Sequence, residues 1–92
     1  MSLQFDWDEQ KADLNAIKHG VSFTEAKTVF TDLGSITIDD LEHSIDEDRY
    51  IEIGISNRGR LLVVVYTERG DFIRIISSRC ATNREIRIYE QS

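Results

Sequence analysis

Residues 49–78 leave little freedom of fold, because three strand-like segments follow one another with only short turns between them. Arg49-Tyr50-Ile51-Glu52-Ile53-Gly54-Ile55 alternates, which predicts a half-buried strand with Ile51, Ile53 and Ile55 inward. Asn57-Arg58-Gly59 supplies a turn. Arg60 to Thr67 is apolar on both faces and reads as the central strand. Arg69-Gly70 turns the chain back, and Asp71 to Ser78 forms the last strand. Strands joined by turns this short must be antiparallel, since a parallel return needs a crossover of a dozen or more residues. The segment is therefore a meander.

The flanks add helices. Leu3-Gln4-Phe5-Asp6-Trp7 reads as a short strand with Leu3, Phe5 and Trp7 on one face. Asp8 can cap a helix to about Lys18, with Ala12, Leu14, Ala16 and Ile17 as its apolar stripe. Lys18 and His19 complement its dipole, and Gly20 suits the left-handed position beyond it. Ser22-Phe23-Thr24-Glu25 predicts a capping box in which Glu25 reaches back to the Ser22 amide. Ala26, Val29 and Phe30 continue that helix, and Gly34 ends it. Ser35 to Ile38 is another strand, followed by an acidic loop over residues 39–48. Thr82-Asn83-Arg84-Glu85 is a second capping box that opens a short C-terminal helix. The order β-α-α-β-β-β-β-α, with helices in blocks, is α+β: an antiparallel β-sheet with two N-terminal helices and a short C-terminal helix.

Ninety-two residues suit one domain. One cysteine, Cys80, rules out an internal disulfide and suits a reducing compartment. No apolar run is long enough for a membrane helix, and the first residues do not read as a signal peptide, so a cytoplasmic protein is expected.

The charges are divided along the chain. Residues 1–48 hold three lysines against twelve acids, and residues 49–92 hold eight arginines against five acids, which together make the net −6. Arginine is a planar, always-charged fork suited to phosphate. An acidic protein with an arginine-rich half binds a phosphate-bearing substrate there or docks an acidic partner. The alternative is a set of solubilising side chains on exposed faces.

The exit of the last strand is the densest point. Arg74 interrupts an apolar strand, where it needs a partner such as Glu68 or a solvated groove. Arg79 and Arg84 flank the start of the last helix, where free amides also favour anions. His19 is a proton-transfer candidate by its ordinary titration range, although a histidine at a helix C-terminus commonly only bonds carbonyls. The acidic loop with His43 lacks the spacing of a calcium loop and reads as solvated, so neither metal nor cofactor is expected.

Taken together these residues resemble the BrnT toxin family. Phe5-Asp6-Trp7-Asp8, Lys11-Ala12, Asn15 and Lys18-His19-Gly20-Val21-Ser22-Phe23 carry the opening. Glu42-His43-Ser44, Gly59-Arg60-Leu61-Leu62, Thr67-Glu68-Arg69-Gly70, Arg74-Ile75-Ile76-Ser77-Ser78-Arg79 and Arg84-Glu85 follow in order. Cys80 stands where the family pattern has a basic residue. The resemblance spans nearly the whole chain and implies a single toxin domain over residues 1–92, of RelE-like fold. It implies a metal-independent endoribonuclease of a bacterial type II toxin–antitoxin pair, which cleaves RNA and inhibits translation.

On that resemblance Arg74 and Arg79 are the charge-stabilising catalytic candidates, leaving the same end of the sheet. His19 is the proton-transfer candidate and Glu68 the second choice. Lys18, Arg60, Arg84 and Tyr89 would position RNA, with Tyr89 able to stack on a base. The implied partner is a BrnA-like antitoxin with a ribbon-helix-helix part, in a heterotetramer or beside a toxin homodimer, and DNA would be reached only through it. The competing reading is a non-catalytic module whose arginine face docks an acidic partner.

Overall fold

The computed structural model describes residues 3–43 and 47–92. Five strands, β1 (Gln4–Asp6), β2 (Ile36–Asp39), β3 (Arg49–Ile55), β4 (Leu61–Arg69) and β5 (Phe72–Cys80), form one sheet in the order β1-β5-β4-β3-β2. The helices are α1 (Glu9–His19), α2 (Phe23–Ala26) and α3 (Asn83–Glu90). The β3-β4-β5 meander is present, and β4 sits at the centre as its two apolar faces require. The sheet is mixed rather than wholly antiparallel, because β1 lies parallel to β5 and completes the edge that the last meander strand leaves open. The second N-terminal helix is one α-helical turn that tightens into a 3-10 segment, Lys27–Thr31.

Two expectations about which residues turn inward hold only in part, for Ala12 packs on the core and Ile53 is buried. In α1, Leu14 and Ile17 are 65% and 83% exposed, while Asn15 is buried. Asn15 holds the inward position because its amide donates to Val21 O (2.9 Å) and Ser78 O (2.8 Å) and accepts from Ser78 N (3.1 Å). It thus satisfies the edge of β5 beyond the reach of β1, where unpaired backbone groups would be costly. In β3, Glu52 faces the helices and is buried, with the hydroxyls of Ser35, Thr37 and Tyr66 donating to it.

The main core joins Val21, Phe23, Ala26 and Val29 of the helical layer to Leu62, Val64 and Ile75 of the sheet, with Phe5, Trp7, Ala12 and Phe30 packed around it. The opposite face carries α3, which lies against β3. Ile53 and Val63 are paired in register on that face and are both buried. The rest of the second face, toward the β4-β5 turn, bears no helix.

One irregularity decides where the arginines point. Tyr66 pairs with Ile75 and Val65 with Ser77, so Ile76 is an extra residue, a β-bulge. Arg74 and Arg79 are five positions apart and would face opposite sides in a regular strand. The bulge restores one parity. Arg74 pairs with Thr67 and Arg79 with Val63, on the face away from α1 and α2.

Candidate nucleic-acid interface

A row of side chains crosses the open second face where α3 does not cover it. In register, Asp6 of β1 lies beside Arg74 of β5, Arg74 beside Thr67 of β4, and Thr67 beside Arg49 of β3. Arg74 Nη1 is 3.4 Å from Asp6 Oδ2, an ion pair longer than a hydrogen bond between charged groups. Arg69 extends the positive charge by donating to Glu47 at 3.0 Å. That hydrogen bond, with the charges of Arg69, Arg49 and Arg74, holds the Glu47 carboxyl below its usual range.

Arg79 lies on the same face at the far end of β5, not at the end where Arg74 stands. Five residues of strand separate their Cα atoms by roughly 16 Å. Arg79 is already engaged: Nη1 and Nη2 donate to the two oxygens of Glu85 at 2.7 and 2.8 Å. Glu85 also accepts from the Thr82 amide at 2.8 Å, which completes the capping box of α3. These bonds, Arg79's first, hold its carboxyl down to about 2. Arg84 is exposed on the first turn of α3. Tyr89, near the end of that helix, donates to Asp32 Oδ2 at 2.7 Å.

The remaining predicted residues lie on the helix-bearing side. Arg60 donates from Nε to Glu25 Oε2 (3.0 Å), from Nη2 to Glu25 Oε1, and from Nη2 to Gly20 O (3.1 Å). The last of these carries Arg60 to the end of α1, where Lys18 and His19 form the final turn. Ser22 does cap α2, accepting from Glu25 N at 3.0 Å, but the Glu25 side chain does not reach back. It turns inward to Arg60 and Ser56 instead. Glu68 pairs in register with Ile73, so it faces away from Arg74 and is not its partner across the hairpin. Among the described residues no three His, Cys, Asp or Glu side chains group as metal ligands. Residues 44–46 of the acidic loop lie outside the described residues.

The family of the "ribonuclease toxin, BrnT, of type II toxin–antitoxin system" matches residues 7–85. The chain belongs to the BrnT ribonuclease toxin family. The 1.1 Å crystal structure of the Brucella abortus ribonuclease toxin BrnT is similar to it, with a TM-score of 0.68 and 25% sequence identity, over 89% of this chain and 100% of that one. No curated protein matches the sequence significantly.

Membership of the BrnT family makes the chain a ribonuclease toxin, with RNA as its substrate and an antitoxin as its partner. No helix among the described residues is long and apolar enough to cross a membrane. For a BrnT-family chain the arrangement of arginines is informative. Arg60 and Arg79 are each closed into a two-pronged pair with a carboxylate, whereas the Arg74 guanidinium makes no hydrogen bond among the described residues. Sequence reading missed Glu25 as the anchor of Arg60 and Asp6 as the neighbour of Arg74. The spacing around Glu25 signalled only a cap, and nothing local links Asp6 to a strand near the other end of the chain.

Proposed function

We propose that this BrnT-family chain is a metal-independent endoribonuclease that holds RNA against the open second face of its sheet, with Arg74 at the phosphate under attack. The observation that carries the reading is the contrast among the arginines. Of Arg60, Arg74 and Arg79, Arg74 alone combines a position on the open face with guanidinium donors that no carboxylate among the described residues has taken up in hydrogen bonds.

RNA supplies its own nucleophile. The ribose 2′-hydroxyl attacks the adjacent phosphorus and gives up its proton to solvent on this open face, the 5′-oxygen leaves and takes up a proton from solvent, and a 2′,3′-cyclic phosphate remains. Negative charge grows on the phosphoryl oxygens as the pentavalent species forms. A guanidinium aimed at those oxygens lowers that barrier. Arg79, fixed by Glu85, gives the far end of the same face a rigid positive point. Arg84 adds a mobile charge beside it, and Tyr89 offers a ring for a base to stack on. Lys18 and Arg60 add positive potential around the sheet edge. His19 and Glu68, the proton-transfer candidates of the sequence, stand on the opposite side of the sheet with α1 and α2, so they have no part at a phosphate held by Arg74.

Cleavage of messenger RNA would inhibit translation, and an antitoxin of BrnA type, with a ribbon-helix-helix part, would neutralise the toxin by covering the arginine face. Purified chain freed of antitoxin is expected to cut RNA in EDTA. Loss of cutting in EDTA would overturn metal independence, and cutting by an Arg74→Ala, Arg79→Ala double variant would overturn the site. In bacteria, growth arrest relieved by co-expressing the adjacent small gene is the expected phenotype. A harmless chain would favour a non-catalytic docking module.

A further inference from the structure

We infer that Asp6, Arg74 and Thr67 form a ribonucleotide subsite in which Arg74 and the Thr67 hydroxyl hold a phosphate and Asp6 accepts a hydrogen bond from the neighbouring ribose 2′-hydroxyl. The inference deepens the reading above and rests on RNA lying on this face.

Three buried side-chain polar atoms lack a hydrogen-bond partner among the described residues: Asp6 Oδ1, Thr67 Oγ1 and Ser78 Oγ. Native proteins leave few such atoms, because each forfeits on the order of 1–3 kcal/mol. Ser78 faces the helix-covered core. The other two stand on either side of Arg74 in the row across the open face. Thr67 is 1% exposed, yet its neighbours in register are two arginines rather than apolar side chains. A hydroxyl beside the Arg74 guanidinium is suited to an anion, toward which both donate.

Asp6 sets the other half of the ligand. Oδ2 faces Arg74, and Oδ1 needs a donor. The phosphodiester of a nucleic-acid backbone carries no proton of its own to donate, and its charge is repelled by the carboxylate. A phosphate with a hydroxyl donor on the adjoining carbon satisfies all three residues at once. A 3′-phosphorylated ribose has that form, and its deoxy counterpart does not. Arg69 and Arg74 add positive charge along the row, with Glu47 engaged by Arg69 and Asp6 beside Arg74. Arg74 is 31% exposed and Asp6 44%, so a ligand approaches the row past these two side chains, and Thr67 lies beneath them. Asp6 is therefore placed to select RNA over DNA and to hold the 2′-oxygen where it must attack.

The test uses ribonucleoside 3′-monophosphates and their 2′-deoxy counterparts as uncleavable probes, titrated into the full chain by NMR or calorimetry. The wild-type chain is expected to prefer the ribose form by about tenfold, the worth of one hydrogen bond to a charged group. Asp6→Ala and the more conservative Asp6→Asn should narrow that gap, and Thr67→Val should weaken both forms alike. Equal affinity for the two forms in the wild-type chain would overturn the inference, as would an unchanged preference in both Asp6 variants. Cleavage of a labelled RNA is followed in parallel. Wild-type cleavage without ribose preference sinks the subsite alone, whereas absence of cleavage sinks the broader reading.

Discussion

Arg60 closes over Glu25 with two hydrogen bonds, one of them 3.0 Å from Nε to Oε2, and the carboxylate beneath it is 3% exposed. The hydrogen bond from Arg60 is the main cause holding the Glu25 carboxyl below its usual range, against burial, and the same bond raises Arg60. The pair ties the start of β4 to α2 and, through Gly20 O, to the end of α1.

Breaking this pair from one side should therefore damage the fold more than RNA binding. Arg60→Ala leaves a buried carboxylate with only Ser56 and the exposed Arg58 for company. A loss of about 3 kcal/mol in urea unfolding is expected. Adding Glu25→Gln to that variant should recover part of the loss, because the orphaned charge is gone. Equal stability of Arg60→Ala and the wild-type chain would show that the pair is merely a surface contact.

Glu85 ties stability to pH. Its carboxyl is down to about 2 in the fold, against an ordinary value of 4.5. A lowered carboxyl contributes stability that is fully present above about pH 4.5 and disappears as the pH falls toward 2. Glu25 and Asp32 are shifted in the same direction, Asp32 chiefly by the Ile55 amide and then by Tyr89. Acid should thus loosen α3 and its attachments together. With Arg79 partly exposed, the Glu85 share is about 1–2 kcal/mol. Urea midpoints at pH 7, 4.5 and 3 should fall most steeply between the last two, and Glu85→Gln should flatten that fall.

Gly54 has no room for a side chain. A Cβ there would lie 2.8 Å from Ser35 Cβ and 2.9 Å from Val29 Cγ1, where β3 packs on the 3-10 segment. Gly54→Ala should cost about 1–3 kcal/mol through overpacking, read as a lowered thermal midpoint. An unchanged midpoint would mean that the segment yields freely.

The meander, its central strand and the helix-start caps at Asp8, Ser22 and Thr82 were legible because each depends on neighbours within a few residues. What escaped depends on distant contacts. Asn15 displaces Leu14 and Ile17 from the inward stripe because it must satisfy the backbone of β5 at Ser78. The parallel pairing of β1 joins it to β5 at the other end of the chain, beyond the reach of any local signal. The shared face of Arg74 and Arg79 depends on the bulge at Ile76, and no residue type announces it. The arginine-rich half was plain from composition. The carboxylates that engage Arg60 and Arg79, and so single out Arg74, became visible only in three dimensions.

That distinction separates the two arginines named first as catalytic. Arg79→Ala removes both hydrogen bonds to a Glu85 that is 20% exposed and caps α3, so stability should drop by about 1–2 kcal/mol. Any fall in RNA cleavage would then recover partly at lower temperature, where α3 stays docked. Arg74→Ala breaks only a 3.4 Å ion pair to a half-exposed Asp6, so its unfolding midpoint should stay close to wild type. If Arg74 stabilises the developing phosphorane charge, cleavage should nonetheless fall by a factor on the order of 100 to 1,000. Arg74→Lys should restore little, since a point charge cannot reproduce a fork that donates to two phosphoryl oxygens. Single-turnover cleavage and urea unfolding of the three variants, measured side by side, separate the outcomes. A stable Arg74→Ala with undiminished cleavage would move the site off this face, toward the end of α1 where Lys18 and His19 stand.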